Sequence, residues 1–580
     1  MTSTTKPTLA SHDSAICILD AAECATKHDV PGAPDDIDEQ GSTESRVLST
    51  TQHSESLHAG AGIAAHYQDR SITVVDNLVE FALTSNYDEH RPPTRYITKK
   101  RALEIISSLT GAFQKSATVC MHIDNEITYP LIYFGILASA STWTGTNTAY
   151  TTRELAHHFR TSNTSQIVVD ARRARTVADA IDLAGMQIEM IIFSDLLMPK
   201  DQVLTHVFRG CRTLHDIVLQ TPGQIKPVID PRATCALFST SGTSGAPKMS
   251  ARTHEALVAE AMAVYDNDNL KPYNVRRLFC TPIFHAFSAP LMLINPIKHG
   301  QPTYLMRRYD DSFASRVFQY GITETAGVPT FLKRLSDLPM PQKSLLQSLR
   351  TIWCAGGRLG DNTLSRFLSC FAVEPRVVQV WGMSEGGWFS SFKYPEIDTS
   401  GSVGRPLPGF EVKLESHYSM LDPNGHVIDT GELLVKSQQL MANYMGNIGA
   451  TEEAFDEEGY MRTGDVGYQD SDGKIFLVDR AKDLIKVNGW QVSPSELQDV
   501  LAGCPLVQDA AVVGCGPIGE EFAVAFVVPS GPETMLTKVK EYLSSQCATY
   551  KVSGLRVMLI GEIPKNSIGK VDKRTLKLLL

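Results

Sequence analysis

Between Leu237 and Lys248 the chain reads LFSTSGTSGAPK, in which five hydroxyl side chains and two glycines are packed between an apolar run and a lysine. Glycines such as Gly242 and Gly245 let backbone N–H groups turn toward an anion, and Ser239, Thr240, Ser241, Thr243 and Ser244 add hydroxyl donors, so these residue types suit a grip on phosphate. The stretch is not a Walker loop, which has four residues between its glycines and then Lys-Ser/Thr at once. An ordinary Ser/Gly loop has a similar composition. Four further islands decide the matter by their order. WGMSEGG (381–387) offers Glu385 as a hard oxygen donor for Mg²⁺, directly or through water, and Ser384 as a hydrogen-bonding partner for phosphate. In YMRTGDVG, Asp465 beside a glycine is suited to accept from ribose hydroxyls. VDRAKDLIKVNGWQVSPSELQ (478–498) is rich in charge, and PKNSIGK ends a glycine-containing loop in Lys570. Taken singly, each such Glu, Asp or Lys reads as a solvated surface charge.

These islands need elements to hold them. ATCALF reads as a short buried strand and THEALVAEAMAVY as a helix, so the phosphate-type loop is expected to join strand to helix. Strand-like runs at Val119–His122, Ile167–Val169, Met190–Ser194 and Arg277–Cys280 alternate with helical patterns. That alternation predicts an α/β protein with parallel sheets. Near Asp479 the charged DRAKD follows the strand-like KIFLV, which marks a hinge. Beyond it, Ser493, Pro494 and Glu496 form a helix start with the spacing of a capping box. The expected organisation is a polar extension over 1–65, a large lobe over 66–478, a hinge at 479–482 and a small α+β lobe over 483–580.

Length and composition are those of a globular enzyme: 580 residues, 43% hydrophobic and 20% charged. A formal net charge of −10 argues against a nucleic-acid binder, which needs a basic face. Eleven cysteines lie scattered without CxxC pairs, so they are expected to be reduced and mostly buried in the cytoplasm, with no zinc signature. The first residues lack the basic start and apolar core of a signal peptide, and the apolar run Pro130–Ala138 is too short to cross a bilayer. The ending Lys577-Leu578-Leu579-Leu580 is not a peroxisomal Ser-Lys-Leu address.

As an ordered set, the five islands resemble the adenylate-forming superfamily of acyl-CoA synthetases, coumarate:CoA ligases and firefly luciferases, from about residue 70 onward. The resemblance implies a large multi-subdomain N-terminal lobe, a small mobile C-terminal lobe, and ATP, Mg²⁺ and CoA as reactants. It implies that Thr240, Ser241, Gly242, Thr243, Ser244, Gly245 and Lys248 close over ATP phosphates, with Thr243 and Glu385 toward the metal. CAGGRL would present Ala355, Gly356 and Gly357 to adenine, near Trp381, Gly382, Met383 and Ser384. Asp465 and Arg480 match ribose contacts, Lys482 the hinge, Lys486 and Gln491 the thioester half-reaction, and Lys570 the adenylation lysine. His285 and Phe287, in TPIFHAFSAP, fall where the family lines its acyl cavity.

The sequence also departs from that pattern. Met249 and Arg358 replace a common glycine and proline, and Ala355 and Val380 stand where glycine is frequent, which predicts a shortened acyl pocket. No aspartate stands in FHAFSA to pair with a substrate ammonium, so the expected acid lacks an α-amino group. The expected activity is ATP-dependent acyl-adenylate formation followed by transfer to CoA, in a setting that suits specialised metabolism. Two other readings stay open on the sequence: loading of a separate carrier protein, and a nucleotide-binding regulator without turnover.

Overall fold

The computed structural model describes Ile16–Cys17 and most of residues 99–580; among the segments outside it are 197–207, 221–229, 241–246, 297–301, 422–426, 488–489 and 566–570. Two sheets dominate. The larger has eight strands in the order Asn443–Tyr444, Met249–Thr253, Thr234–Ser239, Thr142–Gly145, Thr118–His122, Gln166–Val169, Glu189–Ile192 and Arg212–Thr213. From Thr234–Ser239 to the Arg212–Thr213 edge every pairing is parallel. Such strands are covered on both faces, and all five residues of Thr118–His122 are buried accordingly. The second sheet orders Ile16–Cys17, Thr303–Leu305, Arg277–Phe279, Glu324–Gly327, Thr351–Cys354 and Arg376–Gln379, parallel except at the Ile16–Cys17 edge.

The apolar run near Pro130 becomes the helix Tyr129–Ala138, with Pro130 in its first turn and all ten residues buried. A helix apolar on every side belongs inside a large core. It packs in the main apolar cluster, which runs from Ile105 to Ile475 and links the eight-stranded sheet to the antiparallel sheet Glu411–Leu421, Val427–Lys436, Met461–Gln469 and Ile475–Arg480.

One expectation is corrected. The loop after Ser239 does not pass straight into a helix; it closes a hairpin in which Thr234–Ser239 pairs antiparallel with Met249–Thr253. The helix His254–Ala263 follows, capped by Thr253, whose side chain accepts from the Ala256 amide. Met249–Thr253 hides its strand character because it lies between two neighbours and is buried at all five positions. No period-2 alternation of apolar and polar residues is then required of it.

The strand Ile475–Arg480 carries Asp479 and Arg480, and a turn begins at Ala481. The hairpin Ile485–Val487/Trp490–Val492 follows, then the helix Pro494–Ala502 and a three-stranded sheet of Val507–Cys515, Phe522–Pro529 and Arg556–Leu559. This part has its own apolar core around Val492, Leu497, Leu501, Val512 and Leu543. Ser493 caps the helix by accepting from the Glu496 amide. The reciprocal half of the expected capping box is not made, because the Glu496 carboxylate pairs with Lys551 at 2.5 Å. Ser493 instead donates to Asp479 at 2.7 Å, and the Ser495 amide reaches the same carboxylate oxygen.

Among the described residues, polar contacts join the two parts. Asn362 donates to the Asp499 carbonyl at 2.8 Å, Arg358 lies 3.4 Å from the Asp499 carboxylate, and Lys333 reaches the Gln508 carbonyl and Asp509.

Candidate active site

In an open parallel sheet, ligands sit beyond the carboxyl ends of the strands. Here Thr351–Cys354 runs into Ala355, and Arg376–Gln379 runs through Val380 into Trp381; the Val380 amide donates to the Cys354 carbonyl at 2.9 Å. Ala355 and Val380 are buried side by side, while Gly356 and Gly357 are exposed. Gly356 has φ +85°, a left-handed conformation that glycine adopts without strain. The segment 381–388 then folds back as a hairpin, Trp381–Met383 against Gly387–Ser391. Gly382 has to be glycine, because a Cβ there would lie 2.1 Å from the Gly387 carbonyl oxygen.

This hairpin gathers the expected residues. At one end, Trp381 is buried edge-on against Phe389, and its indole N–H donates to Asp465 Oδ2 at 2.7 Å. Asp465 sits opposite Arg480 on neighbouring antiparallel strands, and the Arg480 guanidinium meets Oδ1 at 2.6 Å. The Asp465 amide donates to Thr463, whose hydroxyl is tied to the Leu433 carbonyl. Asp465 is thereby fixed in backbone and side chain.

At the other end, Ser384 donates to the Ser239 carbonyl at 3.3 Å and its own carbonyl accepts from Ser250, which binds the hairpin to both flanks of the phosphate-type loop. Glu385 is buried; its Oε1 accepts from the Tyr444 hydroxyl at 2.7 Å. Lys248 stands 4.7 Å above the Tyr444 ring, and Thr240 pairs with Lys248 across the loop's base. Beyond Glu385, Trp388 stacks on Phe287 at 5.6 Å and donates its indole N–H to the Phe287 carbonyl. His285 is half-buried with Nδ1 accepting from the Phe287 amide, so a neutral ring carries its proton on Nε2.

Of the expected residues, Ser241, Gly242, Thr243, Ser244, Gly245 and Lys570 lie outside the described residues. Lys486 and Gln491 face each other in the hairpin after the turn, and their side chains also lie outside the description. The structure brings Thr240, Lys248, Trp381, Ser384, Glu385, Asp465 and Arg480 to one connected wall, with His285 joined to it through Phe287 and Trp388.

Two participants are invisible in the sequence. Tyr444 belongs to a two-residue strand, too short for any periodic signal. Glu260 lies buried in the helix His254–Ala263, 3.3 Å from the buried Arg252 and so close under Gly387 that a Cβ there would lie 1.9 Å from its Oε1. Burial pushes its carboxyl pKa up against the pull of Arg252.

The model of the AMP-binding enzyme family matches residues 83–445, and the model of the AMP-binding enzyme C-terminal domain matches 496–570. The chain belongs to the AMP-binding enzyme family. Among relatives, this AMP-binding enzyme is 42% identical over 522 residues to "Acyl-CoA ligase M9" of Phoma sp., covering 86% of this chain and 95% of the relative. It is 33% identical over 513 residues to "Phenylacetyl-CoA ligase epaB" of Aspergillus niger, covering 83% and 92%. Its fold matches the anthranilate CoA ligase AuaEII in complex with anthranoyl-AMP at a TM-score of 0.72 and 21% identity, over 87% and 96% of the two chains. ATP-bound MatB from Rhodopseudomonas palustris matches at 0.70 and 21%, over 84% and 94%. Among the described residues no helix is long and apolar enough to cross a membrane.

Proposed function

We propose that this AMP-binding enzyme condenses a carboxylic acid with ATP to an acyl-adenylate, releasing pyrophosphate, and passes the acyl group to the thiol of CoA, breaking the acyl–phosphate bond and releasing AMP. The observation that carries the reading is the single wall on hairpin 381–388, which joins a ribose-type carboxylate, a phosphate-flanking lysine and a buried glutamate. Asp465, oriented by Trp381 and Arg480, accepts from the ribose hydroxyls. Trp381 and the backbone of Ala355, Gly356 and Gly357 flank the base. Thr240, Lys248 and the loop 241–245 hold the phosphates.

The chemistry asks for little covalent work. A carboxylate oxygen attacks the α-phosphorus, the bond to pyrophosphate breaks, and negative charge gathers on the phosphoryl oxygens, so positioning and preorganised positive charge lower the barrier. Lys570 bridges carboxylate and α-phosphate, and Lys482 is the pivot by which the small lobe then presents Lys486 and Gln491 for thiol attack on the mixed anhydride. Among the described residues no cluster of three His, Cys, Asp or Glu could hold a metal. Mg²⁺ is commonly held by one or two carboxylates plus substrate phosphates, and the buried Glu385 carboxylate suits that role, with Thr243 the second ligand that the family resemblance implies. When bound, the ion neutralises phosphate charge.

For the acid, Ala355 and Val380 fill space beside the wall, and the Phe287–Trp388 stack offers an apolar boundary. These favour a compact acid without an α-amino group. The absence of an aspartate in FHAFSA supports the same choice. We place the enzyme in the cytoplasm on its cysteine pattern.

The test is pyrophosphate release from ATP with a panel of acids, with and without CoA, and mass detection of the products. Acid-dependent release with acyl-CoA is expected. Release without acyl-CoA would favour a carrier protein as acceptor, and no release with any acid would favour a nucleotide-binding regulator.

A further inference from the structure

Tyr444 stands between two charged groups that have separate tasks in this site. Its hydroxyl donates to Glu385 Oε1 at 2.7 Å, and its ring lies under the Lys248 ammonium at 4.7 Å. Its strand is hydrogen-bonded to the Met249–Thr253 strand, with Tyr444 opposite Ser250, two residues beyond Lys248. The Met441 amide donates to the Glu385 carbonyl at 2.6 Å, and the Tyr444 amide donates to the Thr451 hydroxyl at 3.0 Å. Backbone and side chain of one short segment therefore fix the glutamate from two sides.

A phenol O–H pointed at one carboxylate oxygen has a geometric consequence. It restrains rotation of the carboxylate and leaves Oε2 without a bond to this phenol. A phenol is protonated at neutral pH, so Tyr444 is a donor there. The ring face independently attracts the lysine.

We infer that Tyr444 is a positioning residue that orients the Glu385 carboxylate for a divalent cation on the ATP phosphates while its ring aims Lys248 at the same phosphates. The inference rests on the proposed site reading, but it predicts a split between two kinds of binding that is independent of turnover. Tyr444→Phe removes the O–H and keeps the ring; Tyr444→Leu removes both. A charge-assisted hydrogen bond of this kind corresponds to about a tenfold effect.

The experiment measures Mn²⁺ affinity, by electron paramagnetic resonance of the free ion, in enzyme saturated with a non-hydrolysable ATP analogue. In parallel, metal-free affinity for the analogue is measured in EDTA. Tyr444→Phe is expected to weaken Mn²⁺ about tenfold and to leave metal-free nucleotide affinity unchanged; Tyr444→Leu is expected to weaken both. In a Glu385→Gln background the Tyr444→Phe change should have no further effect on Mn²⁺. A Tyr444→Phe enzyme with wild-type Mn²⁺ affinity overturns the proposal, as does equal loss of metal and metal-free nucleotide affinity. If Tyr444→Phe does not fold, Thr451→Val decides: a weaker Mn²⁺ affinity supports the inference and an unchanged one overturns it. Acid-dependent pyrophosphate release from the wild type is scored separately, so failure of the ligase reading is told apart from failure of this one.

Discussion

The two ends of the second parallel sheet carry charge in opposite ways. At the amino ends of its strands, Arg277, Glu324 and Arg376 join Lys271, Asp266 and Asp268 in one buried network. Lys271 touches all three carboxylates, Arg277 bridges Asp268 and Glu324 at 2.9 Å each, and Arg376 is bidentate to Asp266. Three cations meet three carboxylates there, and Tyr273 adds a hydrogen bond to Glu324. Beyond the carboxyl ends, Glu385 accepts from Tyr444, Asp465 is held by Trp381 and Arg480, and Lys248 lies over the Tyr444 ring. Mutually neutralised charge specifies a fold; charge held in place by neutral donors and an aromatic face, as at Glu385 and Lys248, can receive a ligand.

The comparison is broken most severely at the saturated end. Glu324→Ala leaves the buried Lys271, Arg277 and Arg376 with only two carboxylates, Asp266 and Asp268, and should cost about 3 kcal/mol of stability in a denaturant titration. The folded fraction should retain its ATP affinity. The pH response has a definite sign. Burial opposes the Asp268 charge, but Arg277 and Lys271 outweigh it and hold the carboxyl down at about 2. The stabilisation is therefore full above the ordinary carboxylate pKa and is lost as pH falls toward 2.

Asp465→Ala should do the reverse. Apparent kcat/KM for ATP is expected to drop about 100-fold, the scale of lost charged hydrogen bonds at a bound ribose, with a far smaller fall in thermal midpoint than Glu324→Ala gives. Equal losses of stability and activity in both variants would erase the distinction.

Asp499, at the meeting of the two lobes, sharpens it from a third direction. Burial pushes its carboxyl up to about 6 although Arg358 lies nearby, with Asp361, Glu496 and Asp479 adding to the rise. A raised acid makes the fold bind its proton more tightly, so the penalty is largest above pH 6 and is relieved between about 6 and 4. Asp499→Asn should stabilise the enzyme by about 2 kcal/mol at pH 7.5, an advantage that shrinks toward pH 4 in paired thermal melts. The smallest effect is at Trp381. Trp381→Phe keeps an aromatic ring and removes the donor to Asp465, so the KM for ATP should rise about fivefold with little change in stability.

Much of the site's inventory was legible because its residue types are dictated by chemistry at fixed positions along the chain. Asp465 and Arg480 are fifteen residues apart, yet strand pairing sets them opposite one another. The ordered motifs named both residues without the pairing. The parallel sheets were legible too, since Thr118–His122 and Arg277–Phe279 show as apolar runs between helical stretches. Met249–Thr253 was not, because a polar strand enclosed by neighbours loses its alternation. Tyr444 and Glu260 escaped for a related reason: their roles arise from contacts across fifty-nine residues to Glu385 and under Gly387, and no local pattern encodes either. The Glu496 capping box failed because Lys551, distant in sequence, competes for its carboxylate.

In the proposed function the large lobe grips the nucleotide while lysines of the small lobe take turns at the reacting group. Single-turnover rates of the two half-reactions in Lys570→Ala and Lys486→Ala test it most directly. Lys570→Ala is predicted to slow acyl-adenylate formation about 100-fold or more and to leave thioester formation from supplied acyl-adenylate nearly intact, with Lys486→Ala showing the opposite pattern. Equal impairment of both steps in both variants would contradict the account.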